Sequence, residues 1–220
     1  ARGRMTEAER NAALGRISPT TDYANLAGCE VVIEAVFEDQ AVKADVTVRA
    51  EAVIGEDALF ASNTSTLPIT GLAEASIRPE RFVGMHFFSP AERMNLVEVI
   101  RGEKTSDIAI AAAMDLSKQL RKTPILMNDS RGFFTSRVIG AYLNEGRTLL
   151  AEGAGPALIE NAARMAGFPV GPLALSDEVS LELQHRILKQ ARATLGDEFQ
   201  AHSGDDVIGT FVEQLKRPGR

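Results

Sequence analysis

An imidazole and a carboxylate stand twelve positions apart, as His86 and Glu98, in the stretch GMHFFSPAERMNLVEVI. Both interrupt runs of Val, Met and Phe that read as two short strands joined by a polar turn. A short turn can lay such strands side by side, which would bring the two side chains together. A buried imidazole bonded to a carboxylate is a general base: the acid fixes the tautomer and stabilises the imidazolium once a proton arrives. A core histidine and an unrelated edge glutamate fit the same spacing, so the pair alone does not decide.

Two polar clusters sharpen the question. Ser62-Asn63-Thr64-Ser65 follows the apolar segment Ala58–Ala61, and Glu38-Asp39 follows EVVIEAV, Glu30–Val36. In an open α/β sheet, ligands bind beyond the carboxyl ends of the strands. Each cluster by itself is also an ordinary turn with a helix cap. Their coincidence with His86 argues for a site, because three successive strands then deliver polar groups to one edge. Lys43, from the pattern alone, is a solvated helix lysine.

The elements that must hold these residues follow from the apolar periodicity. Thr6 and Glu9 form a capping box for a helix to about Leu14. EVVIEAV, nearly continuous in apolar and β-branched residues, predicts a strand covered on both faces. Helical spacing runs from Asp39 to Ile54 with Val42, Val46 and Val53 inward. A second strand spans Ala58–Ala61, and Pro68 opens a short helix. Strands Phe82–Phe88 and Leu96–Ile100 precede a helix from Ser106 to Leu120 and a strand Thr123–Met127. This alternation predicts a Rossmann-type, doubly wound α/β domain over residues 1–128. Residues 129–220 show only helical segments, around 133–152, 156–166, 180–195 and 205–215, separated by signals such as GFPVGP. The fold expected is α/β followed by an all-α domain. Phe133, Phe134, Val138, Ile139 and Tyr142 fit either an assembly face or an internal core.

Of the 220 residues, 45% are hydrophobic and 25% charged, as in ordinary globular proteins. With 24 basic and 30 acidic residues the net charge is −6, which argues against non-specific nucleic-acid binding. Cys29 is the single cysteine, a packing residue by its setting, so a disulfide within the chain and a cysteine metal cage are ruled out. That suits a reducing compartment such as the cytoplasm. No apolar stretch approaches the ~18 residues of a membrane span. Ala1 opens the chain inside what reads as a running helix, so the chain is expected to be a piece of a longer one.

The strings EVVIEAVFED, ASNTSTLPIT, RFVGMHFFSP with NLVEVI, NDSRGFFTSRV and GFPVGPLAL closely resemble the L-3-hydroxyacyl-CoA dehydrogenase family. The match runs in order across essentially the whole chain, and DSRGFFTSRV is most similar to the large multifunctional subunits of bacterial fatty-acid β-oxidation. The resemblance implies NAD as cofactor and oxidation of a 3-hydroxyacyl-CoA to the 3-oxoacyl-CoA. It implies that His86 takes the hydroxyl proton, that Glu98 orients it, and that Ser65 hydrogen-bonds the reacting oxygen. Glu38, Lys43, Asn63, Ser65 and Ser89 are implied at the cofactor, with Glu38 and Lys43 lining the acyl-CoA as well, and Ser136 at the substrate. Ser89 and Ser136 stand where many members have Asn, and serine has a shorter reach. Partners implied are the acyl-CoA substrate and either a second copy or a fatty-acid oxidation complex with a thiolase. A 3-hydroxybutyryl-CoA-type dehydrogenase, or a non-catalytic piece whose helical part serves assembly, are the alternatives. The family's Gly-rich G-x-G-x-x-G turn is not supplied by these residues, and Gly3 follows no strand, so these residues by themselves are expected to bind NAD poorly.

Overall fold

The structure is a computed structural model that describes residues 5–217; Ala1 and Gly3, on which the running helix and the search for a glycine turn touched, lie outside the described residues. The chain divides after Phe133 into two compact units.

The first unit opens with α1 (Glu7–Leu14). Its capping box forms as expected: Thr6 Oγ1 accepts from the Glu9 N–H, and the Glu9 carboxylate accepts from the Thr6 N–H. A five-stranded sheet follows, with β1 (Val31–Glu34), β2 (Leu59–Ser62), β3 (Phe82–Phe87), β4 (Leu96–Arg101) and β5 (Thr123–Asn128) side by side in chain order. Every pairing is parallel except β3–β4, which is antiparallel. Because side chains alternate across a strand, the sheet builds two cores. On one face Phe60, Phe82 and Ile100 pack with Ala50 of α2 (Gln40–Glu51), Ile69 of α3 (Ile69–Leu72) and Phe133. On the other, Leu59, Ala61, Val83, Met85, Val97 and Val99 pack against Ala109 and Ala113 of α4 (Asp107–Gln119). Helices on both faces of a mostly parallel sheet give the Rossmann-type arrangement that the alternation predicts.

Two details differ from the sequence pattern. β1 is not covered on both faces: Ile33 is 40% exposed, because β1 is the outermost strand of the described sheet. In α2 the inward face is Lys43, Thr47, Ala50 and Glu51, while Val42 is exposed. Lys43 turns inward to an ion pair with Glu34, and Thr47 Oγ1 donates to the Lys43 carbonyl one turn back. The rotation thus follows polar bonds that an apolar count does not register. Lys43, 1% exposed, is not a solvated lysine.

The second unit contains α5 (Thr135–Ala151), α6 (Pro156–Met165), α7 (Pro172–Glu178), α8 (Leu181–Leu195) and α9 (Asp205–Gly209), the last running into a π-helical turn Thr210–Gln214. Among the described residues it has no strand. α7 is hidden in the sequence by GFPVGP. Its first N–H groups are satisfied by Glu160 of α6, which accepts from Leu173 and Ala174, so no local Ser or Asp announces the start. α5 begins at Thr135 because Gly132 and Phe133 are both left-handed, with φ of 74° and 46°. Phe133 is 2% exposed in the first unit's core, so it forms no assembly face. Tyr142 is engaged within the second unit, donating to the Val170 carbonyl and stacking on Phe168. Val138 and Ile139 remain exposed. Among the described residues no helix is long and apolar enough to cross a membrane.

Candidate active site

His86 and Glu98 are directly opposed residues of the antiparallel β3–β4 pair. Directly opposed residues of such a pair project to the same face with their Cβ atoms ~5 Å apart. His86 Nδ1 lies 2.8 Å from Glu98 Oε2, with His86 5% and Glu98 0% exposed. The Nδ1 contact leaves Nε2 as the nitrogen that can exchange a proton with a substrate. The imidazole is flanked by Phe88, with ring centroids 4.3 Å apart, and by Phe133 at 6.0 Å. Aromatic walls on two sides limit the water that can reach the imidazole. Sequence reasoning missed both rings; the HFF triplet was a signal for Phe88, but nothing local pointed to Phe133.

Gly84, two residues before His86, explains how close the layers come. A Cβ there would lie 2.6 Å from Ile69 Cδ1 and 2.8 Å from Ile100 Cβ. The strand that carries His86 is therefore seated against its core by a residue without a side chain.

The polar clusters form one connected network at the ends of β1 and β2, where Glu34 pairs in register with Ser62. Asp39 caps α2 by accepting from the Val42 N–H. Glu38, by contrast, reaches across to the loop after β2. Its Oε1 accepts from Thr64 Oγ1 at 2.6 Å, from the Ser65 N–H at 2.9 Å and from the Thr66 N–H at 3.1 Å. Burial pushes the Glu38 carboxyl upward, but those hydrogen bonds and the Lys43 charge outweigh it and hold the group below its ordinary value. Lys43 Nζ sits 2.8 Å from Glu34 Oε1 and 3.5 Å from Glu38 Oε2.

Of the remaining expected residues, Asn63 Oδ1 accepts from the Phe87 N–H at 3.1 Å, tying the loop after β2 to the strand of His86. Ser65 and Ser89 are exposed, and neither hydroxyl has a partner among the described residues. Ser65 thus follows the Thr64 turn with its oxygen available, as a substrate contact requires. Ser136 lies half-buried in the first turn of α5, in the second unit. The first unit therefore carries every expected residue but Ser136. For a dinucleotide, the strand-end loops offer the exposed Ser65 and Ser89, whose hydroxyls can donate and accept as the amide of a nicotinamide requires, and α2 sets the buried Lys43 ammonium between Glu34 and Glu38. Sequence reasoning missed Glu34 and Thr64 as members of this network.

Comparisons with known proteins find relatives along the whole chain. The family model described as 3-hydroxyacyl-CoA dehydrogenase, NAD binding domain, matches residues 1–130, and the one described as 3-hydroxyacyl-CoA dehydrogenase, C-terminal domain, matches residues 132–218. A fatty acid oxidation complex subunit alpha from Shewanella amazonensis is 42% identical over 219 residues, 100% of this chain and 31% of that protein. The chain therefore spans about three-tenths of the length of the curated relatives it matches, 29% of a second such subunit from Shewanella halifaxensis. Among solved structures, (S)-3-hydroxybutyryl-CoA dehydrogenase PaaH1 from Ralstonia eutropha is 36% identical with a TM-score of 0.87, covering 98% of this chain and 76% of that one. FadB2 of M. tuberculosis is 34% identical with a TM-score of 0.85, covering 99% and 77%.

Proposed function

This chain belongs to the 3-hydroxyacyl-CoA dehydrogenase family, and we propose that it carries the dehydrogenase step of a longer fatty-acid oxidation protein. The reaction is oxidation of an L-3-hydroxyacyl-CoA to the 3-oxoacyl-CoA. Bound NAD would supply the hydride acceptor. The observation that carries the reading is the buried His86–Glu98 pair, bonded at 2.8 Å between the adjacent strands β3 and β4.

His86 Nε2 accepts the proton of the 3-hydroxyl, and Glu98 holds the imidazole in the tautomer that leaves Nε2 able to do so. The Ser65 hydroxyl donates to the reacting oxygen and keeps it facing His86. Glu38, Lys43, Asn63 and Ser89 form the cofactor-side wall, Glu38 and Lys43 also facing the acyl-CoA, with Ser136 as a substrate contact from the helical part. In this division residues 1–128 serve the dinucleotide, and 129–220 serve the substrate and subunit assembly, for which exposed Val138 and Ile139 offer an apolar strip. A second copy, or a complex containing a thiolase, is the proposed partner, and the cytoplasm the proposed location.

A second reading is favoured by the TM-score of 0.87 to the 3-hydroxybutyryl-CoA dehydrogenase: a preference for short acyl chains. Assaying the full-length protein for NADH formation with short- and long-chain 3-hydroxyacyl-CoA esters tests both. Turnover of long chains supports the β-oxidation reading, turnover of the four-carbon ester alone supports the second, and no turnover of either rejects both.

A further inference from the structure

Glu34 was assigned no role by the sequence, yet both of its carboxylate oxygens are hydrogen-bonded within the first unit's polar network. It is 3% exposed at the end of β1. Its Oε1 accepts from the Val36 N–H at 2.8 Å and from Lys43 Nζ at 2.8 Å, and its Oε2 accepts from Ser62 Oγ at 2.7 Å. Each donor belongs to a different piece of the cofactor-side wall. Val36 opens the segment that leads to Glu38, Lys43 stands on α2, and Ser62 ends β2 just before Asn63 and Ser65.

The Lys43 ammonium has three N–H donors. Among the described residues one is hydrogen-bonded, to Glu34, and Glu38 stands farther off at 3.5 Å. An ammonium buried to 1% exposure is costly to keep in place without a close anionic partner. Glu38 is a poor substitute: its Oε2 stands 3.5 Å from Lys43 Nζ, and the bonds that its Oε1 accepts from Thr64, Ser65 and Thr66 tie the carboxylate to the loop after β2.

We propose that Glu34 is a positioning residue for the dinucleotide: it fixes the Lys43 ammonium, with its spare donor, at the joint between β1, α2 and the loop after β2. The assignment rests on the reading that Lys43 faces the cofactor. Glu34 itself touches no substrate, and it acts only through Lys43.

The test uses the full-length protein, with NAD kinetics and NADH binding by fluorescence for wild type, Glu34→Gln, Glu34→Asp and the neutral pair Glu34→Gln with Lys43→Met. Thermal denaturation checks that each is folded. Glu34→Gln should raise the KM for NAD about tenfold, the effect of misplacing one charged hydrogen bond, with kcat within about threefold of wild type. Glu34→Asp, which keeps the charge, should recover part of that loss. The neutral pair should match Glu34→Gln within about twofold, because residues acting through one contact are not additive. An unchanged KM in folded Glu34→Gln overturns the proposal, as does a further rise of about tenfold in the neutral pair, which would show Lys43 working without Glu34. Should Glu34→Gln alone not fold, an unchanged KM in the folded neutral pair overturns it equally. A wild type that binds no NADH overturns the parent reading and this one together, whereas an active wild type with an indifferent Glu34 sinks this one alone.

Discussion

His86 and Glu98 meet because β3 and β4 run antiparallel within an otherwise parallel sheet, and the ladder sets them opposite one another at 2.8 Å. No loop intervenes. Removing the base as His86→Ala should lower kcat by roughly 10² to 10⁴, the usual worth of positioned acid–base catalysis, while leaving the KM for NAD nearly unchanged. Glu98→Gln keeps the shape but can present its amide to Nδ1 and favour the wrong tautomer, so it should lower kcat by at least about tenfold. Steady-state rates of the full-length protein check both. Activity of His86→Ala within a few-fold of wild type would remove the proposed base.

Glu38 gives a pH dependence with a definite sign. Its carboxyl is held below the ordinary value of 4.5 in the folded protein. A depressed folded value contributes stability above the unfolded value, and that contribution is lost as pH falls through the folded one. The Tm advantage of wild type over Glu38→Gln should therefore be full near neutrality and shrink below pH ~4.5. A difference that stays constant through the acid range contradicts the assignment.

Gly84→Ala tests how tightly the strand of the base is seated. Ile69 can swing its Cδ1 aside, but Ile100 Cβ, 2.8 Å from the added carbon, is fixed to its own backbone. The expected cost is about 1–3 kcal/mol in urea unfolding, as for other overpacked cores. Because His86 lies two residues on, kcat should fall as well. A variant as stable as wild type would show that β3 can shift freely.

Asp129 closes the first unit from the far end of its sequence. Pro68 provides no side-chain cap for α3, so Asp129 accepts from the Ile69 N–H at 2.9 Å and from the Thr70 N–H and hydroxyl at 2.7 and 2.6 Å. Asp129→Ala leaves those donors without their acceptor and should cost about 1–3 kcal/mol. Chemical denaturation measures it; a loss below about 0.5 kcal/mol would mean that water replaces the carboxylate.

Much of this was legible in the residues. The capping box at Thr6 forms where expected, and it and the caps at Asp39 and Ser106 are local hydrogen bonds between neighbours. The pairing of His86 with Glu98 was legible because a hairpin joins strands close in sequence. What stayed hidden was non-local: Lys43 inward through Glu34, α7 capped by Glu160, α3 capped by Asp129. In each case a charged side chain satisfies groups on another element, and neither apolar periodicity nor a motif marks the partner. Ser65 and Ser89 mark the opposite limit, since an exposed hydroxyl without a protein partner is told from any surface serine only by where it stands.

The same ladder that joins β3 to β4 also decides which faces of both strands meet the core. A slip of one residue would send His86 and Glu98 apart and, in the same movement, turn Val97, Val99 and Met85 out of it. Assembly of the His86–Glu98 pair and completion of the domain are thus a single event. A preparation should then contain no folded but chemically dead register isomer, and a count of competent active sites should equal the count of native molecules.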